Sequence, residues 1–218
     1  MQKQAERRIT VQEFVKEYRE KEFEPYILNG MKYIDNPVRY ELIHGLVYMA
    51  PSPSRKHQTI TRFLIEELGR YLKGHKCELY AAPFDVFPKE TVKVKKKNKG
   101  EEYEEDYGSV IQPDLFVVCN KSKIRENGCH GTPDFIIEIA SPSSMDLDYN
   151  IKLNLYATNR VKEYWIVNPM SEKIIVYIIS EKGKIENVKN FTFNDVIGIS
   201  CLNNIEIDFS EFEYEEIL

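Results

Sequence analysis

The spacing of apolar residues predicts one long amphipathic helix in the first half of the chain. Between Ser54 and Lys73 the apolar side chains recur at the i, i+3, i+4, i+7 spacing of a helix that buries one face. They are Ile60, Phe63, Leu64, Leu68, Tyr71 and Leu72. A shorter helix is predicted over residues 11–20, because Thr10 and Glu13 have the spacing of a capping box.

Short apolar runs predict a mixed β-sheet. Residues 109–119 and 132–141 are almost continuously apolar, which is typical of central strands covered on both faces. A third helix is predicted over about 147–159, with Asp146 as its N-cap. The remaining extended segments are 38–43 and 46–50, which form a hairpin around His44-Gly45, and 77–82, 84–88, 163–167, 173–179 and 184–193. Strands and helices in this order predict an α/β domain, a mixed sheet with helices packed on it.

The chain shows no internal repeat and no linker rich in Pro, Gly or Ser. We therefore predict an N-terminal helix and lead-in over residues 1–30 and a single domain over 31–218. Residues 89–106 join a basic block to an acidic block, which predicts a protruding hairpin or a mobile loop. The basic run Lys93–Lys99 is interpreted as a solvated tip, with steering of phosphates as the alternative.

The composition restricts the class of protein but does not identify its binding partner. The 218 residues carry a formal net charge of −5, which excludes neither a nucleic acid nor a small molecule as partner. Apolar runs fall far short of the roughly 20 residues that a membrane helix needs, and the N-terminus has no apolar signal segment. A cytoplasmic protein is expected. The four cysteines lie far apart, which argues against a zinc knuckle or a disulfide framework and predicts buried or idle thiols.

Acidic residues interrupt the two most apolar strands. Asp114 opens one of these strands, and Asp134 and Glu138 interrupt the other. A buried carboxylate costs several kcal/mol unless it is paired or binds a cation. If the two strands pair antiparallel, Asp114 faces Glu138 or Ala140, while Asp134 lies near the far end.

Two carboxylates a few ångströms apart form a hard oxygen site that suits Mg²⁺ or Mn²⁺. Such an ion activates water and polarises a phosphate. Lys152, on the helix after the Glu138 strand, is the candidate for a nearby ammonium, and Asp148 lies four residues earlier on the same helix face. The alternatives are carboxylates capped by amides or arginine, a solvated lysine, and an Asx-type turn at Asp134.

At these residues the chain resembles a known group. Pro113-Asp114 followed by Glu138 resembles the PD-(D/E)XK motif of the restriction-endonuclease-like superfamily. Over residues 38–180 the chain is similar to the Uma-two family of restriction endonucleases. The residues that carry this similarity are the segments PDFIIEIASPS, EYWIVNP and Glu41–Tyr48, the helical positions Asp148, Lys152 and Tyr156, and His57. The resemblance implies a restriction-endonuclease-like fold, Mg²⁺ or Mn²⁺ bound by Asp114 and Glu138, and a lysine function at Lys152.

The resemblance also implies the function and a supporting set of residues. Metal-dependent hydrolysis of DNA is the leading hypothesis, and cutting both strands of a duplex would favour a homodimer. Glu41, His57, Asp134 and Asp148 would support the site, although Glu41 could equally be an outward-facing strand residue and His57 a core-edge residue. Three positions depart from the family pattern: Ala140 stands in place of the motif lysine, Arg160 in place of a glycine, and Asn168 in place of an aspartate. Ala140 favours the alternative, a module that binds nucleic acid or dimerises without cutting.

Overall fold

A computed structural model of the chain describes residues 2–3, 8–19, 26–28, 31–33, 39–50, 52–98 and 101–214. No helix among these residues is both long enough and apolar enough to cross a membrane. The predicted α/β class, with a mixed sheet and flanking helices, is confirmed.

Helices and strands alternate irregularly along the chain. The helices are α1 (Val11–Tyr18), α2 (Arg55–Leu72) and α3 (Leu153–Thr158), with a π-helical turn over Leu147–Lys152 directly before α3. Short 3₁₀ turns cover Lys121–Lys123, Ser200–Leu202 and Phe209–Glu211. The strands are β1 (Gln2–Lys3), β2 (Tyr26–Leu28), β3 (Met31–Tyr33), β4 (Arg39–Ile43), β5 (Leu46–Ala50), β6 (Glu78–Ala81), β7 (Val86–Phe87), β8 (Val92–Asn98), β9 (Glu101–Tyr107), β10 (Leu115–Val118), β11 (Ile124–Arg125), β12 (Gly128–His130), β13 (Phe135–Ile139), β14 (Glu163–Asn168), β15 (Lys173–Ile179), β16 (Ile185–Thr192), β17 (Val196–Ile199) and β18 (Ile205–Asp208).

The chain divides into two compact units, of which the first comprises residues 1–52 and 91–111. Here α1 begins at the predicted capping box, in which the Thr10 side chain accepts from the Glu13 amide and Glu13 accepts from the Thr10 amide. The predicted hairpin of β4 and β5 turns at His44-Gly45, where both residues have positive φ. Strands β8 and β9 form the hairpin predicted for residues 89–106, although its tip at Lys99-Gly100 lies outside the described residues.

The second unit, residues 53–90 and 112–218, is built on a six-stranded sheet of order β16-β15-β14-β13-β10-β6. Strands β13 and β14 run parallel, and every other neighbouring pair runs antiparallel. The two predicted central strands are therefore neighbours, β10 beside β13. A parallel pair needs a long crossover, and the π-helical turn and α3 supply it.

Helix α2 buries most of the apolar stripe predicted from the sequence, whereas Tyr71 of that stripe is exposed. Its residues Ile60, Leu64 and Leu68 belong to one buried cluster with the sheet residues Leu115 and Ile137. Ser54 accepts a hydrogen bond from the His57 amide and so begins the helix where predicted. His57, in the first turn of α2, contacts Asp114, which directly precedes β10.

Two local predictions were wrong. Cys77 and Cys119, predicted to be unpaired thiols, form a disulfide, because they flank the paired positions Glu78 and Val118 on adjacent antiparallel strands. Spacing of 42 residues along the chain gave no sign of that juxtaposition. Asp146 does not cap the third helix: it is already in helical conformation, and its carboxylate accepts from the side-chain amide of Asn150.

Candidate active site

Asp114 and Glu138 lie side by side on neighbouring strands. Leu115 pairs with Ile137, and the same antiparallel register extended by one residue sets Asp114 opposite Glu138. The Asp114 amide donates to Oε2 of Glu138 at 3.3 Å. Of the two positions that the sequence left open opposite Asp114, Glu138 and Ala140, the structure has Glu138.

The Asp114 carboxylate is held by two donors. Its Oδ2 accepts from the Ile139 amide at 2.8 Å and lies 3.1 Å from Nε2 of His57. Burial alone would raise the pKa of Asp114, but the hydrogen bond from His57, the charge of His57 and the Ile139 amide hold this pKa below its usual range. Asp114 is therefore an anion at neutral pH, and 12% of its side chain stays exposed.

His57 is oriented from both sides of its ring. Because an ionised carboxylate can only accept, Nε2 carries the proton in the contact with Asp114. Nδ1 lies 3.4 Å from the hydroxyl of Thr61, one turn further along α2, and that hydroxyl donates to the carbonyl of His57. His57 is thus positioned to orient Asp114. This arrangement favours a supporting role for His57 over that of a core-edge histidine.

Glu138 is buried and accepts from two side chains at one oxygen. Its Oε1 lies 2.9 Å from Nζ of Lys152 and 2.6 Å from the hydroxyl of Tyr156. The side chains of Glu138 and Lys152 are each only 4% exposed. A buried ion pair of this kind depends on close geometry and on further hydrogen bonds, and Tyr156 supplies one.

The π-helical turn and α3 bring Lys152 and Tyr156 to Glu138, and Asp148 to Lys152. Asp148, Lys152 and Tyr156 are spaced four residues apart, and Nζ of Lys152 lies 3.9 Å from Oδ1 of Asp148. The hydroxyl of Tyr164 donates to the carbonyl of Asp148 and ties this turn to β14. π-helical turns occur often at functional sites. The wider turn was not predicted, and the role of Tyr156 at Glu138 was missed, although its i+4 spacing from Lys152 was visible.

One predicted site residue, Asp134, lies away from the carboxylate pair. Asp134 precedes β13 at the opposite end from Glu138, where its Oδ1 accepts from Lys162 at 2.6 Å and its Oδ2 from the Cys119 amide at 2.8 Å. Burial would raise the pKa of Asp134, but Lys162 and the Cys119 amide lower it overall. Glu41 belongs to the other unit, where it is buried on β4. The structure thus brings together His57, Asp114, Glu138, Asp148 and Lys152, and it separates Asp134 from them.

The two carboxylates of this cluster are donors of the kind that a hard cation prefers. Two carboxylates meet at one end of adjacent strands, and Mg²⁺ commonly takes one or two protein carboxylates with water and phosphate completing its shell. Within the described parts of the chain, no group of three or more His, Cys, Asp or Glu side chains is arranged to hold a metal ion. The residues present fit an ion that depends on water and substrate for its remaining ligands.

Comparisons with known proteins agree with this fold. The chain is similar to the crystal structure of a putative nuclease of the DUF820 group from Anabaena variabilis, with a TM-score of 0.59 and 16% identity, over 79% of this chain and 88% of that one. At this identity the likeness shows the fold. Comparison with curated proteins finds no match. The family model described as putative restriction endonuclease, Uma2, matches residues 21–210, and the chain therefore belongs to the Uma2 family.

Proposed function

We propose that this protein is a metal-dependent endonuclease that hydrolyses phosphodiester bonds in DNA. The observation that carries the proposal is the buried contact of Glu138 with Lys152, directly beside Asp114 on the neighbouring strand. Membership of the Uma2 family and the nuclease-like fold support the reaction class.

Asp114 and Glu138 would hold Mg²⁺ or Mn²⁺ between their strands. When bound, the ion supplies polarisation of the scissile phosphate and a water of lowered pKa. The role of the protein's own residues is to hold two anionic oxygens at a fixed separation. His57 and the Ile139 amide do so at Asp114, and Lys152 and Tyr156 do so at Glu138.

Lys152 would provide the cation that acts on the substrate. Its ammonium is held at Glu138 Oε1, so a short movement of its flexible side chain would bring it to the attacking water or to the phosphate oxygens. Once there, the ammonium would stabilise the charge that develops on the phosphorus-bound oxygens. Asp148 Oδ1, 3.9 Å from Nζ of Lys152, would attract the ammonium and favour positions close to Glu138.

The proposal also includes supporting residues, a homodimer and a cellular location. Glu41 remains a predicted supporting residue from the other unit, whereas the Lys162 pair gives Asp134 a structural role instead. Cutting both strands of a duplex favours a two-fold homodimer, because two identical sites then face strands of opposite direction. A cytoplasmic location remains a prediction.

The second candidate function is binding of nucleic acid without cleavage. Ala140 favours it, because the position two residues after Glu138 lacks the lysine of the motif. The two functions differ in one respect that can be measured: only the nuclease requires Lys152 for a chemical step.

The test is single-turnover cleavage of a short DNA duplex, and of each single strand, with Mg²⁺ or Mn²⁺. We expect cleavage that depends on the metal and is lost in Asp114→Asn and Glu138→Gln. Binding of the duplex by the wild type in Mn²⁺, with no cleavage of any substrate, would favour the second function. An RNA strand of the same sequence separates a DNase from a general nuclease.

A further inference from the structure

Tyr156 meets the carboxylate pair at the same oxygen as Lys152. Its hydroxyl donates to Oε1 of Glu138 at 2.6 Å, and the Tyr156 side chain is buried. Its ring packs edge-on against Tyr164, with 4.8 Å between the ring centroids. The hydroxyl position is therefore set by packing as well as by the hydrogen bond.

The two donors at Oε1 differ in charge. Lys152 brings a full positive charge to Glu138, whereas a tyrosine hydroxyl orients a carboxylate without neutralising it. If Lys152 turns toward a phosphate, the hydroxyl of Tyr156 keeps Oε1 hydrogen-bonded within a side chain that is only 4% exposed. Leaving a buried carboxylate oxygen without that donor would carry the full cost of its lost hydration.

We propose that Tyr156 is a positioning residue for metal binding: it fixes the Glu138 carboxylate plane so that Oε2 stays beside Asp114 while Lys152 is released for the substrate. The proposal rests on the function proposed above. It assigns the two neighbours of Glu138 separate tasks, because Tyr156 acts on the affinity for the ion and Lys152 acts on the reaction.

The test compares Tyr156→Phe with wild type by titrating MnCl₂ into the full chain in a calorimeter, without DNA. Phenylalanine keeps the ring and its packing and removes only the hydroxyl. We expect the dissociation constant for Mn²⁺ to rise about tenfold with the stoichiometry unchanged, as for a lost hydrogen bond to a charged group. In cleavage, more Mn²⁺ should restore the rate of Tyr156→Phe, whereas it should not restore Lys152→Ala.

Tyr177→Phe is the matched control. Tyr177 stacks on Tyr164 with ring centroids 5.9 Å apart, and it lies on β15, two strands away from Glu138 on β13. The Tyr177→Phe variant should bind Mn²⁺ with the affinity of the wild type. Equal affinities of wild type and Tyr156→Phe, or equal losses in both variants, would overturn the role of Tyr156. A wild type that binds no Mn²⁺ would instead contradict the proposed function, and this inference would fall with it.

A second measurement leaves Tyr156 unchanged, so it does not depend on whether a Tyr156 variant folds. The hydroxyl proton of a buried tyrosine on a carboxylate exchanges slowly enough to be sought by proton NMR, and Tyr164→Phe identifies the other buried hydroxyl of this cluster. Adding MgCl₂ to the wild type should shift the Tyr156 hydroxyl resonance, because the ion draws charge from Glu138. A resonance that stays in place while Mg²⁺ binds would also overturn the proposal.

Discussion

His57 and Asp114, 57 residues apart in sequence, are joined by a contact of 3.1 Å between Nε2 and Oδ2. Removing the imidazole leaves Asp114 buried with one donor fewer, so the pKa of Asp114 should rise. An aspartate must be ionised to bind a divalent ion. In His57→Ala the cleavage rate should therefore fall off at a higher pH than in wild type as the solution is acidified, and the single-turnover pH profile measures that shift.

Gln58→Ala is the control for a change at the start of α2. Gln58 is exposed and follows His57 directly. It should leave the acid limb of the pH profile where the wild type has it. An acid limb that does not move in His57→Ala would show that His57 does not set the ionisation of Asp114.

Lys152→Ala should lower the single-turnover rate by about 10² or more, the loss typical when one preorganised electrostatic contact is removed. Binding of DNA and of Mn²⁺ should stay within a few-fold of wild type. Lys152→Arg should not restore the rate fully, because a planar guanidinium does not fit the place of a compact ammonium between Glu138 and Asp148.

Lys95→Ala controls for the loss of one basic charge. Lys95 lies on the hairpin opposite Glu104, away from the carboxylate pair in sequence and in the other unit. If Lys152→Ala, Lys95→Ala and wild type cut at the same rate, the lysine function lies elsewhere or the protein does not cut.

Lysines of β8 lie beside acidic residues of β9, and these lysines are also exposed to solvent. Lys93 lies 3.8 Å from Glu104, and Lys96 lies 2.5 Å from Glu105. Since these acids offset the lysine charges, Lys93→Ala should change the slope of log Kd against log salt for DNA by much less than 1. A slope change near 1 would restore the phosphate-steering interpretation.

Asp134 should act on stability and not on cleavage. Its pKa is lowered in the folded state, so its contribution is present above pH 3.8 and is lost as the pH falls through the lower, folded value. In urea unfolding, Asp134→Asn should cost about 1–3 kcal/mol at neutral pH and progressively less in acid. The single-turnover rate of the folded variant should equal that of wild type, and a rate loss of 10-fold or more would return Asp134 to the site.

Much of the fold could be predicted from local pattern. The period of 3.6 along α2 and the capping box at Thr10 are local signals, and the structure has both helices where they indicate. The C-terminal hairpin of β17 and β18 was not predicted. Its strands have only four residues each, and exposed and buried positions alternate there too briefly to stand out from a loop.

The carboxylate pair could be predicted because a strand alternates its side chains and because acids are rare in buried strands. The partners of that pair could not, since they come from three separate elements. The Cys77–Cys119 disulfide shows the same limit: its register depends on how β6 pairs with β10, which no local pattern states. Tyr156 was visible as a helical position of the family pattern, but nothing in the sequence tied its hydroxyl to Glu138.

Asp114 and Glu138 are proposed to hold one divalent ion together, and crystals of the wild type soaked in MnCl₂, with data collected at the manganese absorption edge, would locate it. We expect an anomalous peak about 2.1 Å from one carboxylate oxygen of Asp114 and one of Glu138, and no such peak in Glu138→Gln crystals. A well-occupied manganese that contacts neither residue, or wild-type crystals without manganese at saturating MnCl₂, would show that this pair does not bind the ion.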